Sequence, residues 1–154
     1  DGTVVFTLIK SGIYPNPQAD QEEHLFTYSL YPHQDGWRQG NVPRQAYQLN
    51  QPMTANVKKL EGGNLAKEYS TVSVSAENVI VEVVKPAQDS DDVVVRMYEC
   101  YNRRTKVTVE LPQEIREIYR CNLLEEEERL EAVNEKSFQI EIAPYEILTF
   151  KVKR

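Results

Sequence analysis

The sequence predicts an all-β fold, an antiparallel β-sandwich of about eight strands with one short helix and long loops. Three observations predict it. Apolar and polar residues alternate in short runs along the chain, turn-forming residues separate the runs, and no regular helices are interleaved between them. Interleaved helices would mark parallel βαβ units, so sheet-on-sheet packing is the expectation. Residues 1–154 are read as a single sandwich domain, a length that suits one domain with a real core.

TVVFTLIK at the start sets Val4, Phe6 and Leu8 against Val5, Thr7 and Ile9, a period-2 pattern that suits a strand. LFTYSLY does the same, with Phe26, Tyr28 and Leu30 on one face. Between these runs Pro15 and Pro17 fix φ and remove two donors, while Asn16 and Asp20 can bond their own backbone. The connection is therefore a long structured loop rather than a hairpin, and such loops often carry function. Spacing alone leaves open whether Tyr14, His24 and His33 pack and cap this loop or act in chemistry.

Next, VPRQAYQLNQP has Pro43 in a first helical turn, Pro52 as a stop, and Val42, Ala46 and Leu49 at helical spacing, so one short helix is expected. KKLEGGNLAKEYS, with Gly62 and Gly63, reads as a flexible loop. Strand signals then recur in TVSVS, NVIVEVVK, DVVVRMYECY, KVTVEL, SFQIEIA and ILTFKVKR. Val93, Val95 and Met97 share one face; so do Val107, Val109 and Leu111, so do Phe138, Ile140 and Ile142, and so do Leu148, Phe150 and Val152. LLEEEERLEAVNEK has helical propensity, but four consecutive glutamates repel one another, and it is read as an exposed loop or one short turn.

Composition narrows the function. The chain is 40% hydrophobic and 27% charged, an ordinary globular balance, with net charge −6 and no basic stripe to attract phosphate. Nucleic acid is excluded as a partner on that ground. No apolar run approaches the roughly 20 residues that cross a bilayer, and the start lacks a signal-peptide pattern, so no membrane is expected. Two cysteines, Cys100 and Cys121, do not make a disulfide framework; they are read as reduced and the location as cytoplasmic.

Catalytic and cofactor patterns are missing. His24 and His33 are separated by a strand, which at about 3.3 Å per residue sets them toward its opposite ends and argues against joint metal ligation. Neither cysteine sits in an activated context, and the chain contains no Gly-x-Ser-x-Gly elbow, Gly-x-Gly-x-x-Gly turn or phosphate loop. Taken alone, the residues look non-catalytic, with no cofactor in the chain.

Several segments nonetheless resemble a known family. LIKSGIYPNPQAD followed by EHLFTYSLYPH looks like the start of the C-terminal β-domain of bacterial α-mannosidases, glycoside hydrolase family 38. RQAYQLNQP, VVVRMYECYNRRTKVTVEL, CNLLEE and APYEILTFKV resemble further elements of that domain, in the same order and across essentially the whole chain. The sequence departs from the family pattern at Lys10 (commonly arginine), Gly12 (proline) and Glu22 (glycine).

The resemblance implies a non-catalytic piece of a retaining, metal-dependent exo-glycosidase that removes α-linked mannose. Its divalent metal, zinc, and both catalytic carboxylates would then lie in the catalytic domain of the same polypeptide, the partner this chain supports. The loop from Lys10 to His24 would face that domain, making Lys10, Asp20 and His24 the candidate substrate-proximal residues beside an α-mannoside. Two other readings are a stand-alone carbohydrate-binding sandwich, stacking Trp37, Tyr31 or Tyr14 on pyranose rings, and a structural, homo-oligomer-forming domain.

Overall fold

The computed structural model describes residues 2–57, 62, 64 and 66–153. The loop expected over 58–70 falls partly outside the described residues, as does Arg154. The chain divides into two compact units, Asp1–Met53 and Thr54–Arg154.

The first unit contains one helix, α1 (Val42–Asn50). Pro43 stands in its first turn, where a missing N–H costs nothing, and the expected stop before Pro52 holds: Gln51 N donates to Tyr47 O at 2.7 Å, closing the last turn. The strands expected over 3–10 and 25–31 are not formed. The two runs come near each other, Phe6 and Tyr28 having ring centroids 5.7 Å apart, yet no β-ladder joins them. Alternation specifies which side chains share a face, whereas a strand also needs a neighbour's N–H and C=O groups in register.

The second unit is the β-structure. It comprises β1 (Ser73–Val74), β2 (Val79–Pro86), β3 (Val93–Glu99), β4 (Thr105–Cys121), β5 (Glu127–Ile142) and β6 (Ile147–Lys153), all paired antiparallel. The order is β1-β4-β6-β3-β2, with β5 on the other side of β4. β4 changes neighbours along its length. Its first part pairs β1 and the end of β5; past a register break between Glu110 and Ile115, its second part lies between β6 and the start of β5.

That break folds the sheet over itself. Phe138 of β5 and Phe150 of β6 share no ladder, yet their rings meet edge-on at 5.2 Å, a contact that bridges two facing layers. Between the layers lies the core of Val79, Val95, Met97, Val107, Ile118, Ile140, Leu148 and their neighbours. The inward positions of β3, β5 and β6 are those the alternation assigns. The unit is an all-β sandwich, as expected.

The glutamate-rich segment departs from expectation. Instead of a loop over 123–136, β4 and β5 continue as a long hairpin around a turn at 122–126. Asn122 Oδ1 accepts from the N–H groups of Leu124 and Glu126 at 2.9 and 3.1 Å, and Glu125 takes the left-handed conformation, φ 69°. Three of the four glutamates are spread over different partners: Glu125 pairs with Lys85 and accepts from Gln88 N, Glu126 accepts from Asn122 Nδ2, and Glu127 pairs with Lys153 at 3.0 Å. Their mutual repulsion is offset by cations that are distant in sequence.

Candidate functional site

The loop from 10 to 24 is held by its own polar groups. Asn16 Oδ1 accepts from Gln18 N at 3.0 Å, Ala19 N donates to Asn16 O, and Gln21 Nε2 donates to Pro17 O at 3.0 Å. The Tyr14–Pro15 peptide is cis, and Asp20 adopts φ 56°. His24 Nε2 lies 3.0 Å from the Asp20 carbonyl, and its ring stacks on Phe26 at 6.0 Å. Asp20 and His24 are thus brought together, but through Asp20's backbone, which leaves its carboxylate outside the contact. Among the described residues no hydrogen bond or ion pair joins Lys10 to either. All three side chains are exposed.

A groove of about 190 Å³ opens in the same unit, between α1 and residues that follow the loop. Ser29 and Tyr31 line one side; Val42, Gln45, Ala46 and Leu49 line the other. It is smaller than the roughly 300–1,000 Å³ typical of ligand pockets. Of the aromatic rings considered for sugar stacking, Tyr31 packs on His33 at 5.4 Å, and one face of Trp37 is taken by Arg38 at 4.5 Å. Gly40 sits where a Cβ would come within 2.5 Å of His33 Nδ1, so close approach of the backbone requires glycine there.

The most constrained polar constellation lies in the sandwich and is centred on Glu99, 1% exposed at the end of β3. Its Oε1 accepts from Asn78 Nδ2 at 2.9 Å and from Tyr101 N at 2.6 Å; its Oε2 accepts from Tyr145 N at 2.9 Å. Asn78, also buried, donates to Thr105 Oγ1 at 2.7 Å, and its carbonyl accepts from Cys100 N. One carboxylate therefore ties together the start of β2, the β3–β4 turn and the β5–β6 turn, where Asn102 and Tyr145 hold φ of 59° and 56°. Burial by itself pushes this carboxyl up, but the donors at Tyr145 N, Asn78 Nδ2, Tyr101 N and Arg103 N together hold it below the usual carboxylate range.

The sequence carries a signal for Glu99 that alternation of apolar residues alone does not pick out. Val93, Val95 and Met97 define an inward face, and Glu99 is the next residue on it. A charged residue in phase with a core stripe marks a buried polar joint.

Such a group is poorly suited to catalysis. A general acid needs a raised carboxyl pKa and access to substrate, whereas Glu99 is enclosed and lowered. Cys121 is buried as well, and burial pushes its thiol up, away from the reactive thiolate. Among the described residues no group of three His, Cys, Asp or Glu side chains converges to hold a metal ion.

Comparison with known proteins agrees with this architecture. Residues 78–150 match the Glycosyl hydrolases family 38 C-terminal beta sandwich domain, a span that runs from Asn78 through Glu99 to Phe150. The chain is 30% identical to Alpha-mannosidase G of Dictyostelium discoideum, over 97% of this chain and 14% of that protein. It is 28% identical to human Alpha-mannosidase 2C1, over 93% of this chain and 14% of that protein. It is 26% identical to a Putative mannosylglycerate hydrolase of Halalkalibacterium halodurans, over 97% of this chain and 17% of that protein. The chain therefore spans about a seventh of the length of the first two relatives. With the Glu99 joint and most of the folded-over sheet and its core inside the matched span, this chain carries the C-terminal β-sandwich domain of glycoside hydrolase family 38.

Proposed function

We propose that the chain is the non-catalytic C-terminal part of a longer α-mannosidase, a retaining, metal-dependent exo-glycosidase that hydrolyses terminal α-mannose. In this reading it buttresses the catalytic domain of the same polypeptide, and the loop from 10 to 24 rims the substrate pocket. The observation that carries it is the alignment of 97% and 93% of the chain with two proteins named as α-mannosidases, of which it covers only 14% each.

Chemistry supports the division of labour. Retaining hydrolysis needs two carboxyl groups about 5–5.5 Å apart around the sugar, one of them with a raised pKa. The enclosed carboxylate of this chain, Glu99, is engaged in holding three segments of backbone. The catalytic pair and a divalent metal, zinc in this reading, belong to the rest of the polypeptide. Cys100 and Cys121 stand as thiols rather than as a disulfide, which supports a cytoplasmic location.

The full-length polypeptide is expected to hydrolyse p-nitrophenyl α-mannoside and to lose that activity to a chelator, while residues 1–154 alone are inert. Hydrolysis by the isolated chain would refute the non-catalytic assignment, and an inactive full-length protein would refute the enzymatic one. Within that enzyme, Lys10→Ala, Asp20→Ala and His24→Ala are each expected to lower kcat/KM by about tenfold, the loss of one charge-assisted contact of about 1.4 kcal/mol. Unchanged kcat and KM would remove these residues from the pocket rim.

A further inference from the structure

We propose that Tyr145, Asn102 and Arg103 form a second saccharide-binding site at one end of the sandwich, where the Tyr145 ring stacks on the C–H face of a hexopyranose and the two polar side chains bond its hydroxyl groups. This rests on the reading of the chain as part of a mannoside-cleaving enzyme and adds to it a sugar contact outside the catalytic domain.

Tyr145 is a residue that neither the backbone nor the core accounts for. Ala143, Pro144, Tyr145 and Glu146 make a turn closed by Glu146 N donating to Ala143 O at 3.1 Å. Proline stands second in it, and the third residue has φ 56°, a place that glycine or asparagine takes at least cost. Of the seven described residues other than glycine with positive φ, five are Asn or Asp and a sixth, Glu125, is held by Lys85; the seventh is Tyr145. A bulky side chain resists that conformation, and outliers of this kind cluster at functional sites. Burial does not offset the strain, because Tyr145 is 57% exposed. Among the described residues no ring contact, hydrogen bond or ion pair engages its side chain.

The buried carboxylate fixes its neighbours as well. Glu99 accepts from Tyr101 N at 2.6 Å, from Arg103 N, and from Tyr145 N at 2.9 Å, so the backbones of 101–103 and 145 lie side by side around it. Asn102, φ 59°, and Arg103 are exposed, and among the described residues their side chains have no hydrogen-bond or ion-pair partner. An aromatic face, an amide and a guanidinium are thus held on a rigid base, which lowers the ordering cost of binding. A pyranose fits this set: its C–H face is apolar, and its hydroxyls both donate and accept, as the amide does, while the guanidinium only donates. A protein interface would need about 800 Å² on each side with an apolar centre, whereas residues 100–106 and 143–147 expose a single large aliphatic side chain, Ile147.

The test uses the full-length polypeptide and a photoreactive α-mannoside carrying a diazirine. Irradiation followed by peptide mass spectrometry is expected to label residues 100–106 or 143–147, and excess methyl α-mannoside to suppress that label. Tyr145→Asn is expected to lower the label at least about tenfold. Hydrogen exchange of the 148–152 amides should stay as slow in that variant as in the unsubstituted protein, or become slower, because asparagine suits the left-handed backbone. A label that excess methyl α-mannoside does not suppress or that persists in Tyr145→Asn would overturn the proposal, and so would faster exchange, which would make the ring a structural prop. Protection of Tyr145 from hydroxyl-radical oxidation in the sugar-free protein, the outcome of a protein interface, would overturn it too. Hydrolysis of p-nitrophenyl α-mannoside is measured on the unsubstituted protein: activity without label at these turns refutes only the second site, and label without activity refutes only the enzymatic reading.

Discussion

Glu99→Ala should be among the most damaging single changes in the sandwich. The substitution leaves Asn78 Nδ2, Tyr101 N and Tyr145 N without their acceptor, in a site where the carboxylate is 1% exposed. Each buried donor stranded in this way costs about 1–3 kcal/mol, so the three together are expected to cost about 3–9 kcal/mol. Against a typical domain stability of about 5–15 kcal/mol this is a large fraction. With a urea slope of about 2 kcal/mol/M, the midpoint should fall by about 1.5–4.5 M, read by far-UV circular dichroism.

Glu99→Gln separates charge from shape. Its carbonyl can serve two donors, but its amide then faces the third, and a loss of about 1–3 kcal/mol is expected at pH 7. Because the folded carboxyl is lowered relative to the unfolded chain, its charge-linked stabilisation is fully present above about pH 4.3 and is lost as pH falls through the folded value. The gap between wild type and Glu99→Gln should therefore be widest at neutral pH and narrow below about pH 4. A Glu99→Ala midpoint within about 0.5 M of wild type, or a Glu99→Gln gap that is the same at pH 7 and pH 3, would refute the joint.

Two further outcomes are expected. Phe150→Ala should cost about 3–5 kcal/mol in the same denaturation assay, because the ring is fully enclosed and meets Phe138 at 5.2 Å; a loss under about 1 kcal/mol would argue against the folded-over sheet. Cys121, buried and with its thiol pushed up by that burial, should react with a thiol reagent at pH 8 far more slowly in the folded chain than in urea, and equal rates would contradict its placement.

Residue alternation was enough to place the core stripes of β3, β5 and β6, because a period of two along a half-buried strand is a local property. Helix α1 was legible for a similar reason, with Pro43, Pro52 and the spacing of Val42, Ala46 and Leu49 all within one segment. The candidate loop was legible as a structured loop from its prolines and Asn16. That His24 would meet Asp20 through a carbonyl was not, since backbone geometry carries no residue-type signal.

What the chain's order of residues determined by itself was thus which side chains face together and where the turns fall, since both depend on neighbours a few positions away. Tertiary structure alone decided which runs became strands. Glutamates 125–127 could enter and follow a turn only once Lys85 and Lys153, 40 and 26 positions away respectively, had been brought beside them. The apolar runs 4–9 and 25–31, better strand sequences by pattern, stayed unpaired within the described chain. Pairing requires hydrogen-bonding partners and opposite charges from distant positions, and no local pattern states whether they arrive.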